Sequence, residues 1–297
     1  MKLRTLWLLL VPFAILPCIA PAQESAATQE SSAGKGDSLA VMSYNIRYLN
    51  NRDGEDVWGN RKEKVYETIH QADLVGLQEV VWKQLDGIRE NCPDFEWYAV
   101  ARDDGKQKGE STPIGWRKNA FELLEKGTFW LSPTPDNVGS KGWDAALPRI
   151  ASWVRLKHKS TGNSWMILNT HFDHRGKEAR KQSAQLIVDW SKKQGTKTPL
   201  VVMGDFNASQ TSPPYRILAS EGLDQPVLQD ARGLATKEDS GPAATWNGFR
   251  QIGDSRIDHI FCAGKVSVLE FQTLNPKTDK GRFASDHMPV LAMISID

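Results

Sequence analysis

Apolar and polar positions along the chain follow two periods. Nine short runs rich in Val, Ile, Trp, Tyr and Phe read as strands: LAVMSYNIR, DLVGLQEV, FEWYAVAR, PIGWRK, RIASWVRLKH, SWMILNTHF, PLVVMGDFN, RIDHIFCA and PVLAMISI. Stretches of helical period lie between them, at about 60–71, 82–91 and 176–193. In the last, Ala179, Ser183, Leu186, Ile187 and Trp190 recur at spacings of three and four, which puts them on one helix face. Pro213 and Pro214 suit the start of a further short helix at about 215–220. Strands mixed with helices predict a layered α/β or α+β domain. Many short strands with few crossover helices favour two packed sheets over one doubly wound parallel sheet.

The pattern changes at the beginning of the chain. Residues 1–22 carry Lys2 and Arg4, then an apolar stretch from Leu6 to Ala14, then Ala20-Pro21-Ala22. This is the layout of a cleavable secretory signal peptide. Pro12, Pro17 and Pro21 interrupt it, and its unbroken apolar run is short for a membrane anchor. Residues 23–37 are small and polar and cannot bury enough surface to order themselves, so they read as a disordered leader. The ordered domain is expected over 38–297, in the periplasm or outside the cell. Cys92 and Cys262 are the cysteines left after cleavage, and a single disulfide between them is open in an oxidising compartment. Cys262 sits in the apolar run IDHIFCA and suits a buried position.

Composition narrows the class. With 297 residues, 40% hydrophobic and 25% charged, the chain is neither disordered throughout, nor collagenous, nor a multi-span membrane protein. Lys plus Arg number 37 and Asp plus Glu 36, so there is no basic excess of the kind that holds long duplex DNA. No amphipathic or apolar hairpin suggests stable membrane insertion, and a monomer is expected.

The informative polar residues stand at strand ends. MSYN ends at Asn45, LVGLQ leads to Glu79, MILNT to His171, and LVVMG to Asp205 with Asn207 two residues on. RI leads into Asp258, and FAS into Asp286 and His287. Strand ends on one rim of a sheet can converge although they are distant in sequence. Four carboxylates (Glu79, Asp205, Asp258, Asp286) with carboxamides and imidazoles suit a hard, oxygen-loving cation, Mg²⁺ or Mn²⁺. Zinc fits less well, since no HExxH or Cys/His spacing occurs. Because Mg²⁺ takes only one or two protein carboxylates, the remaining acids are free to orient an imidazole or a water. The combination points to metal-assisted attack of water on a phosphate ester.

Six motifs, MSYNIR, LQEV, THFDHRG, MGDFNA, RIDHIF and SDHMPV, occur in this order from 42 to 290. In sequence and order they resemble the endonuclease/exonuclease/phosphatase superfamily, which includes DNases, abasic-site endonucleases, neutral sphingomyelinases, inositol-polyphosphate phosphatases and deadenylases. The resemblance implies a four-layer sandwich of two β-sheets flanked by helices. It implies Glu79 as the main metal ligand, with Asn45 and Asp286 beside it. Asp205 and Asn207 would orient water and phosphate. His287, steadied by Asp258, and His171 would meet the phosphate oxygens. In one branch a Glu seven residues before an Arg pairs with the second His, which makes Glu110, ahead of Arg117, the counterpart for His171.

Other positions depart from the common pattern. His259 replaces a residue that is usually Tyr, and a packing role is expected for it. Asp173, His174 and Arg175 extend the NTH motif toward substrate or shape its turn. SKGWDAALPRIASW and ATWNGF resemble a secreted bacterial branch, and in them Trp143, Asp144, Arg149, Trp246 and Phe249 are candidates for a substrate rim. The substrate implied is a phosphorylated one: a sugar phosphate, an inositol phosphate, a lipid head group or a nucleic acid. A small or exposed phosphoester leads, an extracellular nuclease comes second, and a non-catalytic phospho-ligand binding protein is the reading of a different class.

Overall fold

Residues 38–194, 198–222 and 224–296, with Met1, are described in the computed structural model. The expected signal segment beyond Met1 and the leader lie outside the described residues. The chain forms two six-stranded mixed sheets. The first holds β1 (Leu39–Asn45), β2 (Leu74–Gln78), β3 (Phe95–Tyr98), β4 (Ile114–Arg117), β11 (Val266–Thr273) and β12 (Val290–Ile296), in the order β11-β12-β1-β2-β4-β3. The second holds β5 (Phe121–Trp130), β6 (Ile150–His158), β7 (Ser164–His171), β8 (Leu200–Asp205), β9 (Gln229–Asp230) and β10 (Asp258–Ala263), in the order β5-β6-β7-β8-β10-β9. The helices are α1 (Lys62–Ile69), α2 (Trp82–Asn91), α3 (Lys177–Gln194), α4 (Pro213–Leu218) and α5 (Ala231–Leu234).

The apolar runs of the central strands are continuous because both faces of each sheet are covered. Val41, Leu74, Ile167 and Val201 point between the sheets, where Trp116, Trp165, Met203 and Ile260 join them. Their neighbours in sequence point the other way. Met42 and Val75 pack under Val65 and Ile69 of α1 and Leu85 and Ile88 of α2. Leu168 and Val202 pack under Ala184, Ile187 and Val188 of α3. The result is helix, sheet, sheet, helix, as the motif resemblance implied.

The described strands absent from the sequence reading (β5, β9 and β11) are all sheet edges. One face of an edge strand meets water, so β5 reads FELLEKGTFW, with Glu122, Glu125 and Lys126 exposed, and its apolar pattern is weak. FEWYAVAR is shorter than expected and ends as a strand at Tyr98. The Trp residues divide: Trp58, Trp116, Trp130 and Trp165 are core, whereas Trp143 and Trp246 are exposed. Cys92 and Cys262 are free thiols in different apolar clusters, so the disulfide left open above is not formed. Burial pushes each thiol up to about 12.

Close approach of β7 and β8 depends on Gly204, where an added Cβ would lie 2.2 Å from the Thr170 carbonyl oxygen. Backbone cannot yield as a side chain can. Gly204→Ala is therefore expected to cost roughly 3 kcal/mol and to lower Tm by roughly 6–10 °C in a calorimetric scan. A shift under about 2 °C would show that this strand pair is looser than the contact implies.

Candidate active site

Strand register gathers the motifs. In the parallel pair β1–β2, Asn45 lies opposite Gln78, so Glu79 follows at the same sheet end. In the parallel pair β7–β8, His171 lies opposite Asp205. The antiparallel pair β8–β10 sets Asp258 opposite Asp205 as well. The segment before β12 is tied in by Ser285, whose hydroxyl donates to the Asn45 carbonyl at 2.7 Å. The two sheets are pinned together just below by Asn169. Its amide donates to the carbonyls of Leu77 (2.8 Å) and Pro113 (2.9 Å), and its oxygen accepts from Gln78 at 2.7 Å. Gly76 makes room, since a Cβ there would stand 2.7 Å from the Asn169 side chain.

Asp205 Oδ2 is the hub. It accepts from Asn45 Nδ2 at 2.9 Å and lies 3.5 Å from His171 Nε2 and 3.7 Å from His287 Nε2. The Asn45 amide also donates to Glu79 Oε1 at 3.2 Å. The other ring nitrogen of His287 bonds Asp258 Oδ2 at 2.9 Å. Asn207 donates to His171 Nε2 at 3.1 Å, which assigns the proton of a neutral His171 to Nδ1, on the side of Glu110. Arg47, Tyr48, Glu79, Glu110, Leu147, Arg149, His171, His174, Asp205, Asn207 and His287 line one cleft of about 360 Å³.

Electrostatics separate the two imidazoles. Burial, with the positive charge of Arg149 and Arg102, lowers the pKa of His171 well below its ordinary value. Burial also opposes charge on His287, but Asp258 and Asp205 outweigh it and hold this pKa well above the ordinary value. Burial and then Asp258 push Asp205 up to about 7. One ring is thus neutral and the other an imidazolium, both facing a carboxylate that titrates near neutrality. Three positions here carry left-handed backbone: Arg47 (φ 57°), Glu79 (φ 61°) and Asn207 (φ 45°). That conformation is uncommon for Arg and Glu and tends to persist at functional sites. At Glu79 it ends β2 on a residue whose carboxylate lines the cleft.

Comparison with known proteins decides what this arrangement belongs to. The sequence profile of the Endonuclease/Exonuclease/phosphatase family matches residues 42–287. The chain belongs to the endonuclease/exonuclease/phosphatase family. A family protein from Bacteroides vulgatus is 37% identical, covering 88% of this chain and all of that one, with a TM-score of 0.82. The Bacteroides thetaiotaomicron mannosyl-6-phosphatase Bt3783 is 38% identical over 87% of this chain and all of its own, with a TM-score of 0.80. Nocturnin of Mus musculus is 24% identical across 87% of this chain, which spans 66% of that protein.

Endonuclease/exonuclease/phosphatase family members are phosphoesterases, generally dependent on a divalent metal, and the residues at this rim fit a cation. Glu79 accepts from Tyr48 N at 3.1 Å through Oε2. The Arg47 guanidinium lies 3.9 Å from Glu79 and 3.8 Å from Asp286 without a close bond to either. Burial pushes the Asp286 carboxyl up, and the Glu79 charge adds to this. Two loosely partnered carboxylates that repel one another are the donor set a hard cation takes. Asp205, Asp258 and His287 also hold ligand atoms within 4.8 Å of one another. There, however, the ring nitrogen is already bonded to Asp258, and the group reads as an imidazolium between two carboxylates.

The other expected residues divide between the cleft and its supports. Asn45, expected on the metal, accepts the Arg47 N–H through its oxygen at 3.0 Å and gives its amide to both acids, so it spaces Glu79 from Asp205. Glu110 lies 4.0 Å from His171 Nδ1, but its hydrogen bonds go to Arg102, at 2.8 and 3.1 Å. Asp173 is buried, accepts from the backbone of Leu147, Arg175 and Gly176, and so shapes the turn; it is outside the cleft lining. His174 lines the cleft, and Arg175 is exposed on the same turn outside the lining. Asp144 bonds the first N–H groups of α3, at Glu178 (3.2 Å) and Ala179 (2.7 Å). Trp143 and Trp246 are outside the cleft lining too, although the Trp246 backbone bridges to His287. His259 is fully buried among Phe206, Tyr215 and Phe261, as expected, with Nε2 3.0 Å from the Ala208 carbonyl.

Sequence reasoning missed Arg47, Asn169 and Arg61. Arg47 stands inside MSYNIR and Asn169 just before the THF string, so both were within reach. Arg61 is buried and donates to the carbonyls of Ile46, Arg47, Asp56 and Ala284, which locks the first motif to the last. Nothing in its local sequence marks it.

The raised pKa of Asp205 has a cost that can be measured. The folded protein holds this proton more tightly than the unfolded chain. The linked stability is complete below the ordinary carboxylate range and is lost as pH rises through about 7. Asp205→Asn should therefore stabilise the metal-free protein at pH 8 by up to about 4 kcal/mol, with little difference near pH 4. Thermal melts in EDTA at the two pH values check the sign, and a variant less stable at pH 8 than wild type would contradict it.

Proposed function

We propose that this chain is an exported, Mg²⁺- or Mn²⁺-dependent phosphoesterase that hydrolyses a small phosphate ester, a sugar phosphate first, by in-line attack of water. The observation that carries the reading is the sharing of one cleft by Glu79, Asp205, Asn207, His171 and His287. Its volume suits a small ligand. Similarity to a mannosyl-6-phosphatase along nearly all of both ordered domains supports a sugar phosphate.

A cation bound by Glu79 and Asp286 would polarise a phosphoryl oxygen. Asp205, charged above about pH 7, accepts a proton from the attacking water. The His287 imidazolium donates to a non-bridging oxygen as charge builds, such a donor being worth roughly 3 kcal/mol, or about 10²-fold, while the Asn207 amide, given to His171 Nε2 and the Phe172 carbonyl, fixes the neighbouring ring. Neutral His171, its Nε2 held by Asn207 and its Nδ1 on the side of Glu110, forms the wall beside Asp205. No covalent enzyme intermediate is required. Among the described residues, no helix is long and apolar enough to cross a membrane.

Hydrolysis of p-nitrophenyl phosphate and bis(p-nitrophenyl) phosphate, with and without EDTA, tests the chemistry. A panel of sugar phosphates, inositol phosphates, lipids, RNA and DNA then tests the substrate. Turnover that stops in EDTA and is fastest on a sugar phosphate is expected. Faster cleavage of nucleic acid would move the assignment to a nuclease, and tight phosphate binding without turnover would replace the enzyme by a binding protein. Export is checked separately: intact mass of the secreted or periplasmic protein should begin at Gln23, whereas retention of residues 1–22 would refute the signal peptide.

A further inference from the structure

Arg149 is only 5% exposed and yet lines the cleft. Its Nη2 meets His174 Nδ1 at 3.0 Å. Its Nε lies 3.5 Å from Asp173 Oδ2 and its Nη1 4.0 Å from Glu110 Oε2, and neither nitrogen has a hydrogen-bond partner. The nearby acids are engaged elsewhere: Asp173 by three backbone N–H groups, Glu110 by both terminal nitrogens of Arg102. Buried donors without acceptors are costly to the free protein. An oxygen-rich ligand that reached them from the cleft would recover this cost.

The other arginine of the cleft lining, Arg47, gives two nitrogens to Asp53 at 3.1 Å each and faces Glu79 and Asp286 with the third. Of the two, Arg149 is the one whose unpaired donors are buried. A phosphomonoester dianion differs from a phosphodiester by one more terminal oxygen and one more charge, in the planar, bidentate geometry that a guanidinium matches. His287 lines the same cleft and, as an imidazolium, can serve an oxygen that both ester classes share.

We infer that Arg149, steadied by His174, is the specificity-determining residue that selects phosphomonoester dianions over phosphodiesters in this cleft. The inference rests on the phosphoesterase reading above. A diester would set an esterified oxygen against these donors, leaving them unpaired.

The test is the ratio of kcat/KM for p-nitrophenyl phosphate to that for bis(p-nitrophenyl) phosphate, measured on the metal-loaded protein. Wild type should favour the monoester. Arg149→Gln should lower the ratio about 100-fold, mostly through KM, as expected for a lost charge-assisted contact. Arg149→Lys, which keeps the charge between Asp173 and Glu110, should fall in between. His174→Ala, at an exposed position, should lower the ratio by about 3–10-fold through loss of one bond to the guanidinium. A parallel fall on both esters would reduce Arg149 to a structural role and overturn the inference, as would a wild type that prefers the diester. Should Arg149→Gln fail to fold, the Lys and His174 variants decide, and an unchanged ratio in both refutes it. A wild type that hydrolyses neither ester would overturn the phosphoesterase reading instead. The selectivity is then read from calorimetry with phenyl phosphate against diphenyl phosphate: tighter binding of the monoester that Arg149→Lys and His174→Ala both reduce supports the inference, and equal affinities overturn it.

Discussion

Glu79→Gln is expected to lose at least about 10³-fold in kcat at saturating Mg²⁺, while Tm changes little. The carboxylate sits at the end of β2 in left-handed backbone, between the Asn45 amide on one oxygen and the Tyr48 N–H on the other. Glutamine keeps the shape but presents an NH₂ group to one of these donors, a mismatch of about 1 kcal/mol in a partly exposed position. What it removes is charge. With Asp286 left alone opposite Arg47, the rim no longer holds a pair of carboxylates. Calorimetric titration with Mg²⁺ should lose its heat in parallel with activity. A variant that binds Mg²⁺ normally and turns over within tenfold of wild type would remove Glu79 from the cation site.

Much of this rim is legible in the sequence because register does the gathering. Once β1 and β2 are parallel, and β7 and β8 likewise, Asn45 and Glu79 share one end of the first sheet and His171 and Asp205 one end of the second, and packing of the two sheets brings these ends together. What the chain hides is of two kinds. Edge strands β5, β9 and β11 lack a two-sided apolar signal, since half of each faces solvent. Polar residues that act through backbone carbonyls, such as Arg61 and Asn169, look like any surface arginine or asparagine until the fold buries them. The same blindness affected Asp173 and Glu110. Their types suggested contact with substrate or His171; Glu110 does stand 4.0 Å from His171 Nδ1, but the closer N–H groups, those of Arg102 for Glu110 and of its own turn for Asp173, take their hydrogen bonds. Type and spacing locate a site; competition among neighbours for each oxygen decides the role, and that competition is three-dimensional.

The same reasoning makes His287 and Asp258 one unit, and the unit has a testable arithmetic. Asp258 holds the Nδ1 side of the ring at 2.9 Å, and Asp205 faces Nε2 at 3.7 Å. Burial alone would discharge the ring; the two carboxylates keep it an imidazolium above the ordinary histidine range. His287→Gln should therefore cost about 10³-fold in kcat. Asp258→Asn, which leaves the ring in place but withdraws its counter-charge, should cost nearly as much above neutral pH. Together the substitutions should cost little more than either alone, because each disables the same donor. The pH profile separates this from a general loss of structure. Wild-type kcat should rise through about pH 7 as Asp205 gives up its proton, and fall only where His287 loses its own, well above the ordinary histidine value. In Asp258→Asn the alkaline limb should move to lower pH, since the charge that raised it is gone. If that limb stays in place, or if the double variant loses the product of the two single effects, Asp258 and His287 act separately and the imidazolium is not the donor.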